Sequence, residues 1–408
     1  MKAGWQVKTL GDSCFIARGG SPRPIQEFLT NDADGVNWIK ISDATASDKF
    51  IFKTKEKIKP SGISRSRLVK EGDFILSNSM SFGRPYVMKT SGCIHDGWLV
   101  LSEYEKYFDQ GFLYHLLGSP VVFEQFNNLA AGSTVRNLNI ELASRVVLPV
   151  PPIEQQQRIV AILDQAFEGI AKARTNAEQN LQNARALFES HLQSVFTQRG
   201  EGWVKKKLGE TSILKIIDGD RGINYPSKEE FSDDGFCLFL NTKNVRPDGF
   251  NFDTTMFISE KKDKVLRNGK LQRQDVILTT RGTIGNVAIF DANVEFENIR
   301  INSGMLIFRP NKEKLLSSFL FEVFRSSIMK DQMIRHVSGA AQPQLPIKTL
   351  IDFEIPVPDT LESQREIVAS VREIDAETRR LGAIYQRKLT LLDELKKSLL
   401  QQAFAGEL

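Results

Sequence analysis

Two stretches of this chain concentrate side chains that donate and accept hydrogen bonds, and glycine punctuates both of them. One runs from Ser77 to Arg84 and the other from Thr279 to Gly285. Such side chains suit the reading of base edges in a DNA groove, where arginine contacts guanine and asparagine or glutamine contacts adenine. The candidate base-contacting residues are therefore Ser77, Asn78, Ser79 and Arg84 in the first stretch, and Thr279, Thr280, Arg281 and Thr283 in the second.

A second polar loop follows each of these stretches later in the chain. The two loops run from Gly132 to Asn137 and from Gly339 to Gln344. Taken alone, each fits an ordinary polar turn as well as it fits a contact with DNA. Their candidate residues are Thr134, Arg136, Asn137, Gln342 and Gln344.

A run of positive charge precedes each of the first two loops. Residues 49–70 contain Glu56 as their single acidic residue, and residues 261–273 contain only Asp263. For one such run a solvated surface is the simpler interpretation, but its recurrence favours contact with DNA phosphates. The candidate phosphate-contacting residues are Lys53, Lys55, Lys57, Arg65 and Arg67 in the first run, and Lys261, Lys262, Lys264 and Arg267 in the second.

Motifs for catalysis are weak by comparison. The sequence has no G-x-x-x-x-G-K-[ST] loop and no H-E-x-x-H helix, and its cysteines and histidines are scattered rather than spaced as metal ligands. Asp248, Glu260 and Lys262 mimic the P-D…E-x-K pattern of metal-dependent nucleases, but that pattern is loose and has no counterpart earlier in the chain. We therefore predict no catalytic residue and no metal site, and keep a nuclease as the first alternative.

Composition sets wider bounds on the class of protein. The 408 residues are 41% hydrophobic and 25% charged, as in an ordinary globular chain of two to four domains. No run approaches the roughly 18 apolar residues of a membrane span, and three scattered cysteines fit a reducing, bacterial-type cytoplasm. The net charge of +4 permits a polyanionic partner without establishing one.

Two long helices must position the candidate loops. Residues 154–197 contain no proline, and their apolar residues recur at alternating steps of three and four, close to a heptad seam. The same spacing returns between Ile367 and Leu399, after the proline-rich segment Ile355–Pro358. One such stripe cannot bury itself, so we predict that the two helices pack together, and their order along the chain makes the pair antiparallel. Gly169 leaves the straightness of the first helix in doubt.

These helices belong to a larger internal repeat. Its offset drifts slowly, as small loop insertions would cause, and predicts two similar modules related by a pseudo-twofold axis. Three pairs of segments define it: Trp5–Asp12 with Trp203–Glu210 at an offset of 198, Asp73–Ser77 with Asp275–Thr279 at 202, and Glu154–Val160 with Glu362–Val368 at 208. Between the last two, single residues match at an offset of 207: Phe112, Leu113, Ser119, Gln125 and Gly132 with Phe319, Leu320, Ser326, Gln332 and Gly339.

Each module is predicted to be of the α+β class. Short β-rich runs alternate with Gly, Asp and Ser turns, and one helix follows them, near Phe108–Asn127 in the first module and Leu315–Val337 in the second. The predicted architecture is two similar globular domains separated by two long antiparallel, coiled-coil-like helices. The predicted limits are 1–150 and 200–357 for the globular domains, and 151–199 and 358–408 for the helices.

Two variable globules that open with W-x-V-x-x-L-G or W-V-x-x-x-L-G and close in P-x-P…E-x-Q-x-x-I-V resemble the specificity subunit of a type I restriction-modification system. The C-terminal segment from Ser398 to Leu408 is also similar to the usual end of that family. The resemblance covers essentially the whole chain. It implies two target-recognition domains, each reading one half of a split, asymmetric site in double-stranded DNA, with the helices setting the spacer between the halves.

The same resemblance implies partners. It implies that the chain carries no cofactor and no catalytic activity of its own, and that it scaffolds two copies of a DNA adenine methyltransferase subunit that uses S-adenosylmethionine. Restriction or translocase subunits that use ATP with Mg²⁺ would join for restriction. A second alternative is a coiled-coil adaptor that binds no nucleic acid, which predicts no salt-sensitive retention on DNA.

Overall fold

The computed structural model describes residues 4–78, 83–130, 138–198, 202–337 and 343–408. The chain divides into two compact units, one made of Met1–Glu178 with Arg387–Leu408 and the other of Gln179–Gln386. We call residues 4–150 of the first unit module 1, and residues 202–358 of the second unit module 2. Within the described part of the chain, no helix combines the length and apolar character that a membrane crossing requires.

Module 1 contains twelve strands and five α-helices among its described residues. One five-stranded sheet has the order β3-β6-β4-β10-β7, another has the order β2-β11-β8-β9-β5, and β1 pairs with β12 alone. The elements are β1 (Gln6–Thr9), α1 (Leu10–Ser13), β2 (Phe15–Arg18), β3 (Leu29–Thr30), β4 (Val36–Ile39), α2 (Ile41–Thr45), β5 (Phe50–Ile51), β6 (Glu56–Ile58), β7 (Arg67–Val69), β8 (Phe74–Ser77), β9 (Pro85–Met88), β10 (Gly92–Ile94), β11 (Trp98–Ser102), α3 (Gln110–Leu117), α4 (Pro120–Ala130), α5 (Ile140–Ser144) and β12 (Val147–Val150).

The first long helix, α6, runs without interruption from Ile153 to Thr197. Gly169 therefore does not break it. The strand β12 is followed by Pro151 and Pro152, whose missing N–H groups cost nothing just before a helix. Along the helix the buried residues Ile159, Leu163, Ile170 and Ala177 keep the predicted spacing, whereas Leu187 is exposed. The predicted apolar stripe is therefore present on the helix, but Leu187 does not belong to its buried part.

Module 2 repeats this plan with fewer strands in its two larger sheets. Among the described residues, its sheets have the orders β14-β22-β19-β20, β18-β15-β21, β16-β17 and β13-β23. The elements are β13 (Trp203–Lys207), β14 (Leu214–Asp218), β15 (Cys237–Leu240), β16 (Val245–Arg246), β17 (Gly249–Phe250), β18 (Phe257–Ile258), α7 (Glu260–Val265), β19 (Val276–Thr279), β20 (Val287–Ile289), β21 (Ile299–Ile301), β22 (Met305–Pro310), α8 (Ser317–Arg325), α9 (Ser327–His336), α10 (Ile347–Leu350), β23 (Glu354–Pro358) and the second long helix, α11 (Leu361–Ala405).

The helix predicted at the end of each module is in fact two helices. In module 1 the break lies at Ser119, where the hydroxyl donates to the carbonyl of Leu116 at 2.6 Å and Pro120 begins α4. In module 2 the break lies at Ser326, whose backbone is extended and whose hydroxyl donates to the carbonyl of Val323 at 2.6 Å. A serine hydroxyl competes with the helical N–H for such carbonyls, so both helices end there.

Within each unit the segments of α6 and α11 pack antiparallel. In the first unit Arg174 forms an ion pair with Asp393, and Lys396 lies over the ring of Phe167 at 5.0 Å, so numbers fall on α11 as they rise on α6. In the second unit His191 contacts Ser370 at 3.2 Å, and a Cβ on Gly382 would lie 3.6 Å from the side chain of Leu181, which gives the same direction. The predicted α+β class and the two long helices are confirmed. The four domain limits stay predictions, because the compact units divide the chain inside the helices.

Each unit builds its main core where its module meets these helices. In the first unit Ile159 and Leu163 join the same buried cluster as Phe112 of α3 and Phe404 of α11. In the second, Phe196 of α6 and Val371 of α11 join the cluster of Phe319 from α8. The apolar stripes therefore serve two purposes, pairing with each other and covering the helices of the module.

Candidate nucleic-acid interface

The two polar loops predicted separately in module 2 meet at one edge of its sheet. After β19 the N–H of Thr280 donates to the carbonyl of Gly304 at 2.8 Å, in the turn that precedes β22. The N–H of Leu345 donates back to the carbonyl of Thr280 at 2.9 Å, and Arg281 forms an isolated β-bridge with Gln344. We call this place the recognition edge of module 2, and define it as residues 218–221, 279–286, 302–304 and 343–345.

The predicted residues at this edge divide by burial. Thr279 and Thr280 are buried, and their hydroxyls donate to backbone carbonyls, that of Thr280 to Gly304 at 3.2 Å. Arg281, Thr283 and Gln344 are exposed. The buried threonines therefore fix the shape of the loop, and the exposed side chains are the ones free to meet a ligand.

Module 1 has the equivalent edge, which we define as residues 18–23, 77–78, 95–97 and 138. The N–H of Asn78 donates to the carbonyl of Gly97 at 3.0 Å, and the N–H of Leu138 donates to the carbonyl of Asn78 at 2.9 Å. Asn78 is buried, and its Nδ2 donates to the carbonyl of Asp96 at 2.8 Å. Ser77 is buried as well.

A glycine with positive φ closes the loop after the central strand in each module. Gly83 has φ of +81° and Gly285 has φ of +93°, a conformation that other residues adopt only with strain. A Cβ at Gly83 would lie 2.8 Å from the ring of Phe126, and one at Gly285 would lie 3.2 Å from the sulfur of Met333. Both loops must therefore pass close to the second helix of the pair.

Of the remaining predicted loop residues, Arg84 is described and the others are not. Arg84 is exposed and lies over the ring of Tyr86 at 5.1 Å. Five candidates lie outside the described residues: Ser79, Thr134, Arg136, Asn137 and Gln342.

The basic residues predicted in module 1 do not form one cluster. Lys57 belongs to β6 and Arg67 to the edge strand β7, and two strands separate them in the sheet, roughly 14 Å at 4.8 Å per strand. Lys53, Lys55, Arg65 and Arg67 are exposed, and the guanidinium of Arg65 lies 5.4 Å from the ring of Phe28. Among the described residues, no carboxylate forms an ion pair with any of these five cations.

The basic run of module 2 is partly neutralised by its own chain. Lys262 pairs with Glu230 at 2.8 Å with its side chain only 14% exposed, and Lys264 pairs with Glu260 at 2.8 Å. Lys261 and Arg267 are exposed. Two of the four predicted phosphate contacts would therefore have to exchange a carboxylate for a phosphate.

These pairings also bear on the nuclease alternative. Its glutamate and lysine, Glu260 and Lys262, both belong to α7, and each is already paired with another residue. Asp248 lies in the turn between β16 and β17. Over the described part of the chain, no group of three or more His, Cys, Asp or Glu residues is placed to hold a metal ion.

Sequence reasoning missed the turn that supports each edge. In module 1 this turn is His95-Asp96-Gly97, and in module 2 it is Asn302-Ser303-Gly304. The Nδ1 of His95 accepts the N–H of Gly97 at 2.9 Å, and burial lowers the pKa of this imidazole. The Ser21 hydroxyl donates to Asp96 Oδ1 at 2.6 Å and holds the pKa of that carboxyl below its usual value. A signal was available, since each turn ends in glycine just before an apolar strand.

Comparison with known proteins gives this geometry a family. The family described as type I restriction modification DNA specificity domain matches residues 2–180 and again residues 200–386. The chain therefore belongs to the type I restriction-modification DNA specificity family. Its role is DNA specificity within a restriction-modification complex, and the family is the recognition part of that complex rather than a catalytic one.

Relatives match over nearly the whole chain. The EcoBI specificity subunit of Escherichia coli is 22% identical over 97% of this chain and 85% of its own length. The MjaVIII specificity subunit of Methanocaldococcus jannaschii is 23% identical over 99% of this chain and 93% of its own. The predicted resemblance is thus confirmed.

Two solved structures share the fold at 20% sequence identity. A chain from a study of complex assembly and conformational transition of the type I restriction-modification system has a TM-score of 0.82 and covers 100% of this chain and 99% of its own. The HsdS subunit from Thermoanaerobacter tengcongensis has a TM-score of 0.63 and covers 100% of this chain and 98% of its own. At this identity the likeness establishes the fold alone.

Proposed function

We propose that this chain recognises a split and asymmetric site in double-stranded DNA, and that each module reads one half of it. The observation that carries the proposal is the recognition edge, which both modules build with the same backbone hydrogen bonds and equip with different side chains. Two edges with the same backbone geometry and different side chains suit two half-sites of different sequence, because base edges are distinguished by their donor and acceptor patterns.

The exposed residues of the polar loops are the base-contacting residues in this proposal. They are Arg84 in module 1 and Arg281, Thr283 and Gln344 in module 2, and the predicted residues outside the described ranges keep their place beside them. The buried residues Ser77, Asn78, Thr279 and Thr280 hold the loops in shape. A fixed loop loses less conformational entropy when DNA binds, and so gains affinity.

The basic residues supply contacts to phosphates. Lys53, Lys55, Lys57, Arg65 and Arg67 in module 1, together with Lys261, Lys262, Lys264 and Arg267 in module 2, would place the duplex without reading its sequence. The ion pairs of Lys262 and Lys264 imply that these two contribute less than the others.

The partners proposed are two copies of a DNA adenine methyltransferase subunit, with restriction or translocase subunits added for cleavage. S-adenosylmethionine would be used by the methyltransferase, and ATP with Mg²⁺ by the translocase, while this chain binds neither. Its long helices would scaffold the assembly and set the spacer, and the complex would work in the cytoplasm. Membership of the family supports these proposals.

Methylome sequencing tests the proposed function directly. DNA from cells that co-express this chain with its methyltransferase should carry one methylated motif with two unlike halves, and cells with the methyltransferase alone should not. Exchange of residues 1–150 for the first module of another family member should change one half only. A change in both halves, or no motif at all, would contradict the proposal.

A binding experiment separates the two alternatives. The purified chain should be retained on DNA in a salt-dependent manner and should not cut that DNA in the presence of Mg²⁺. Cleavage that disappears in Glu260→Gln would favour the nuclease, and the absence of salt-sensitive retention on DNA would favour the adaptor.

A further inference from the structure

Each module places one backbone carbonyl at the same point of its recognition edge. In module 1 this carbonyl belongs to Asp96 and in module 2 to Ser303. The two residues are equivalent because each precedes the glycine that accepts the N–H of the first loop residue, Gly97 from Asn78 and Gly304 from Thr280. The register agrees, since Trp98 pairs with Ser77 and Met305 pairs with Thr279.

An arginine donates to this carbonyl in both modules. The Nε of Arg18 donates to the Asp96 carbonyl at 3.0 Å, and the Nη2 of Arg221 donates to the Ser303 carbonyl at 3.4 Å. The two arginines come from different positions. Arg18 is the last residue of β2 and pairs with Leu99, whereas the residue of module 2 that pairs with the equivalent Leu306 is Asp218, three residues before Arg221. Each module therefore brings a guanidinium to the same place by its own route.

A buried carboxylate fixes the backbone beneath Arg221. Asp220 is 8% exposed, and its two oxygens accept the N–H groups of Arg221 at 2.8 Å and of Arg267 at 2.6 Å. Asp220 thus ties a predicted phosphate-contacting arginine to Arg221. The side chain of Arg221 is 52% exposed and rests on Asp218 at 2.9 Å. Exposed ion pairs of this kind contribute little stability, so the guanidinium can exchange Asp218 for a ligand.

The guanidinium of Arg18 is held differently and is ready to bind. Its Nε is the atom that donates to the carbonyl, and among the described residues no acceptor is recorded for its two terminal nitrogens. Terminal nitrogens held in one plane form the fork that matches guanine O6 and N7 in the major groove. A single anchoring bond therefore orients the fork without occupying it.

We propose that Arg18 and Arg221 are specificity-determining residues, each of which contacts a guanine in the half-site read by its own module. The proposal rests on the proposed function, and it adds two residues that the loop predictions do not contain. It also requires that each half of the recognised motif contains at least one G·C pair.

The principal alternative is that these arginines contact phosphates. Lysine separates the two roles, because an ammonium keeps a phosphate contact but lacks the planar, rigid fork with which a guanidinium pairs with guanine. The variants are Arg18→Ala, Arg18→Lys, Arg221→Ala and Arg221→Lys, studied in the full chain assembled with its methyltransferase. The matched control is Arg145→Ala, which removes an exposed arginine of module 1 that pairs with Glu141 and is not among the residues that define the edge.

The experiment measures competition binding and methylation on duplexes that carry each single substitution of the motif. In both Arg221 variants, discrimination against replacement of one G·C pair should fall about 10- to 100-fold in the second half only, the range expected for one bidentate contact. The Arg18 variants should do the same in the first half only. Arg145→Ala should match the wild type, and the unaffected half reports in each variant that the protein is folded.

Three results would overturn the proposal. The first is unchanged discrimination in the alanine variants, and the second is a uniform loss of binding to all sequences that lysine restores. The third is a motif with a half that lacks any G·C pair. A wild-type complex without sequence preference would instead show that the proposed function itself is wrong.

Discussion

A buried glutamine near the start of each long helix bonds to the backbone at the start of a module helix, α3 in module 1 and α8 in module 2. The two glutamines make the same pair of bonds. Gln156 accepts the N–H of Asp109 and donates to the carbonyl of Tyr107, both at 2.8 Å. Gln364 accepts the N–H of Leu316 at 2.9 Å and donates to the carbonyl of Lys314 at 3.0 Å. At the recognition edges, by contrast, several equivalent side chains differ, among them Asn78 and Thr280, and Asp96 and Ser303.

A second glutamine pair shows how far this repetition goes. Gln125 of α4 exchanges two hydrogen bonds with the backbone of Val147, and Gln332 of α9 exchanges two with the backbone of Glu354. These bonds fasten the second helix of each pair to the strand that leads into the long helix. The modules therefore repeat the bonds that join them to the helices and vary the surface that we propose meets DNA.

The two modules also differ at one buried residue of the junction with the long helices, where no DNA contact is proposed. His115 of α3 lies 2.7 Å from Asp164 of α6. The equivalent residue of module 2 is Glu322, which pairs with Arg325 at 2.9 Å. Burial lowers the pKa of the imidazole and raises that of the carboxyl. The equivalent buried position thus holds a base in module 1 and an acid in module 2, and burial shifts their pKa values in opposite directions.

The largest effect is expected from breaking the repeated glutamine bonds. Gln156→Leu should destabilise the protein by about 3 kcal/mol, because it leaves the groups of Asp109, Tyr107 and Pro151 unsatisfied at a fully buried site. Gln364→Leu should cost about 2 kcal/mol, since it loses two bonds. Chemical denaturation measures both.

The control for these variants is Gln157→Leu at the neighbouring exposed position. It should change the free energy of unfolding by no more than about 0.5 kcal/mol. If Gln156→Leu were as mild as this control, the shared frame would not depend on the buried amide.

A smaller effect should distinguish two equivalent aspartates. Asp275 is buried and accepts two bonds from Arg309, at 2.8 and 2.7 Å, whereas burial raises the pKa of the equivalent Asp73. Asp275→Asn should cost about 2 kcal/mol, less than for a fully buried pair because the Arg309 side chain is 27% exposed.

Asp73→Asn should stay within about 0.5 kcal/mol of the wild type, because the amide oxygen can still accept the N–H of Lys70. Unfolding curves of the two variants give the comparison. Equal losses of stability at both positions would show that the ion pair with Arg309 does not stabilise module 2.

The sequence predicted the frame because periodicity and repetition are local signals. The long helices, the α+β class and the pairing of the two halves all follow from spacing that can be counted along the chain. The bend at Ser119 and Ser326 could not be predicted this way, because it depends on hydroxyls that compete for helical carbonyls in a packed setting.

The candidate site was predicted in part for a similar reason. Loop composition pointed to Arg281 and Gln344, which the structure brings together. It did not point to Arg18 or Arg221, because their proposed role depends on a carbonyl about eighty residues away in the chain. It also could not foresee that Lys262 is paired with Glu230, since a charge run shows nothing about its spatial neighbours.

The His115 junction should give the first unit a dependence on acid. The folded-state pKa lies below 6.5 because burial outweighs the bond from Asp164, so the unfolded chain binds more protons between the two pKa values. Stability should therefore fall as pH drops from about 6.5 through the folded pKa, by at most about 1.4 kcal/mol per pH unit. The melting temperature between pH 7 and pH 5 measures this.

His115→Gln should flatten this dependence, because glutamine does not titrate. The raised pKa of Glu322 acts in the other direction, since its contribution to stability is lost as pH rises through the folded pKa. Glu322→Gln should therefore leave the acid-side loss in place. A pH dependence unchanged by His115→Gln would assign it to other groups.

The smallest effect separates free cations from paired ones at the two basic runs. Lys53→Glu and Lys55→Glu should each reduce the slope of log K against log salt by about 0.9, the value of one phosphate contact, and should do so for any DNA sequence. Lys262→Gln should reduce it by much less, because Glu230 already neutralises that mostly buried ammonium at 2.8 Å. Filter binding of the complex to specific and random duplexes between about 50 and 200 mM salt covers the range in which the slope is linear.

Glu230→Gln is the matched test, since it frees Lys262 and should raise the slope toward that of an unpaired lysine. If Lys262→Gln already lowered the slope by a full contact, DNA would displace Glu230, and the two basic runs would be equivalent after all.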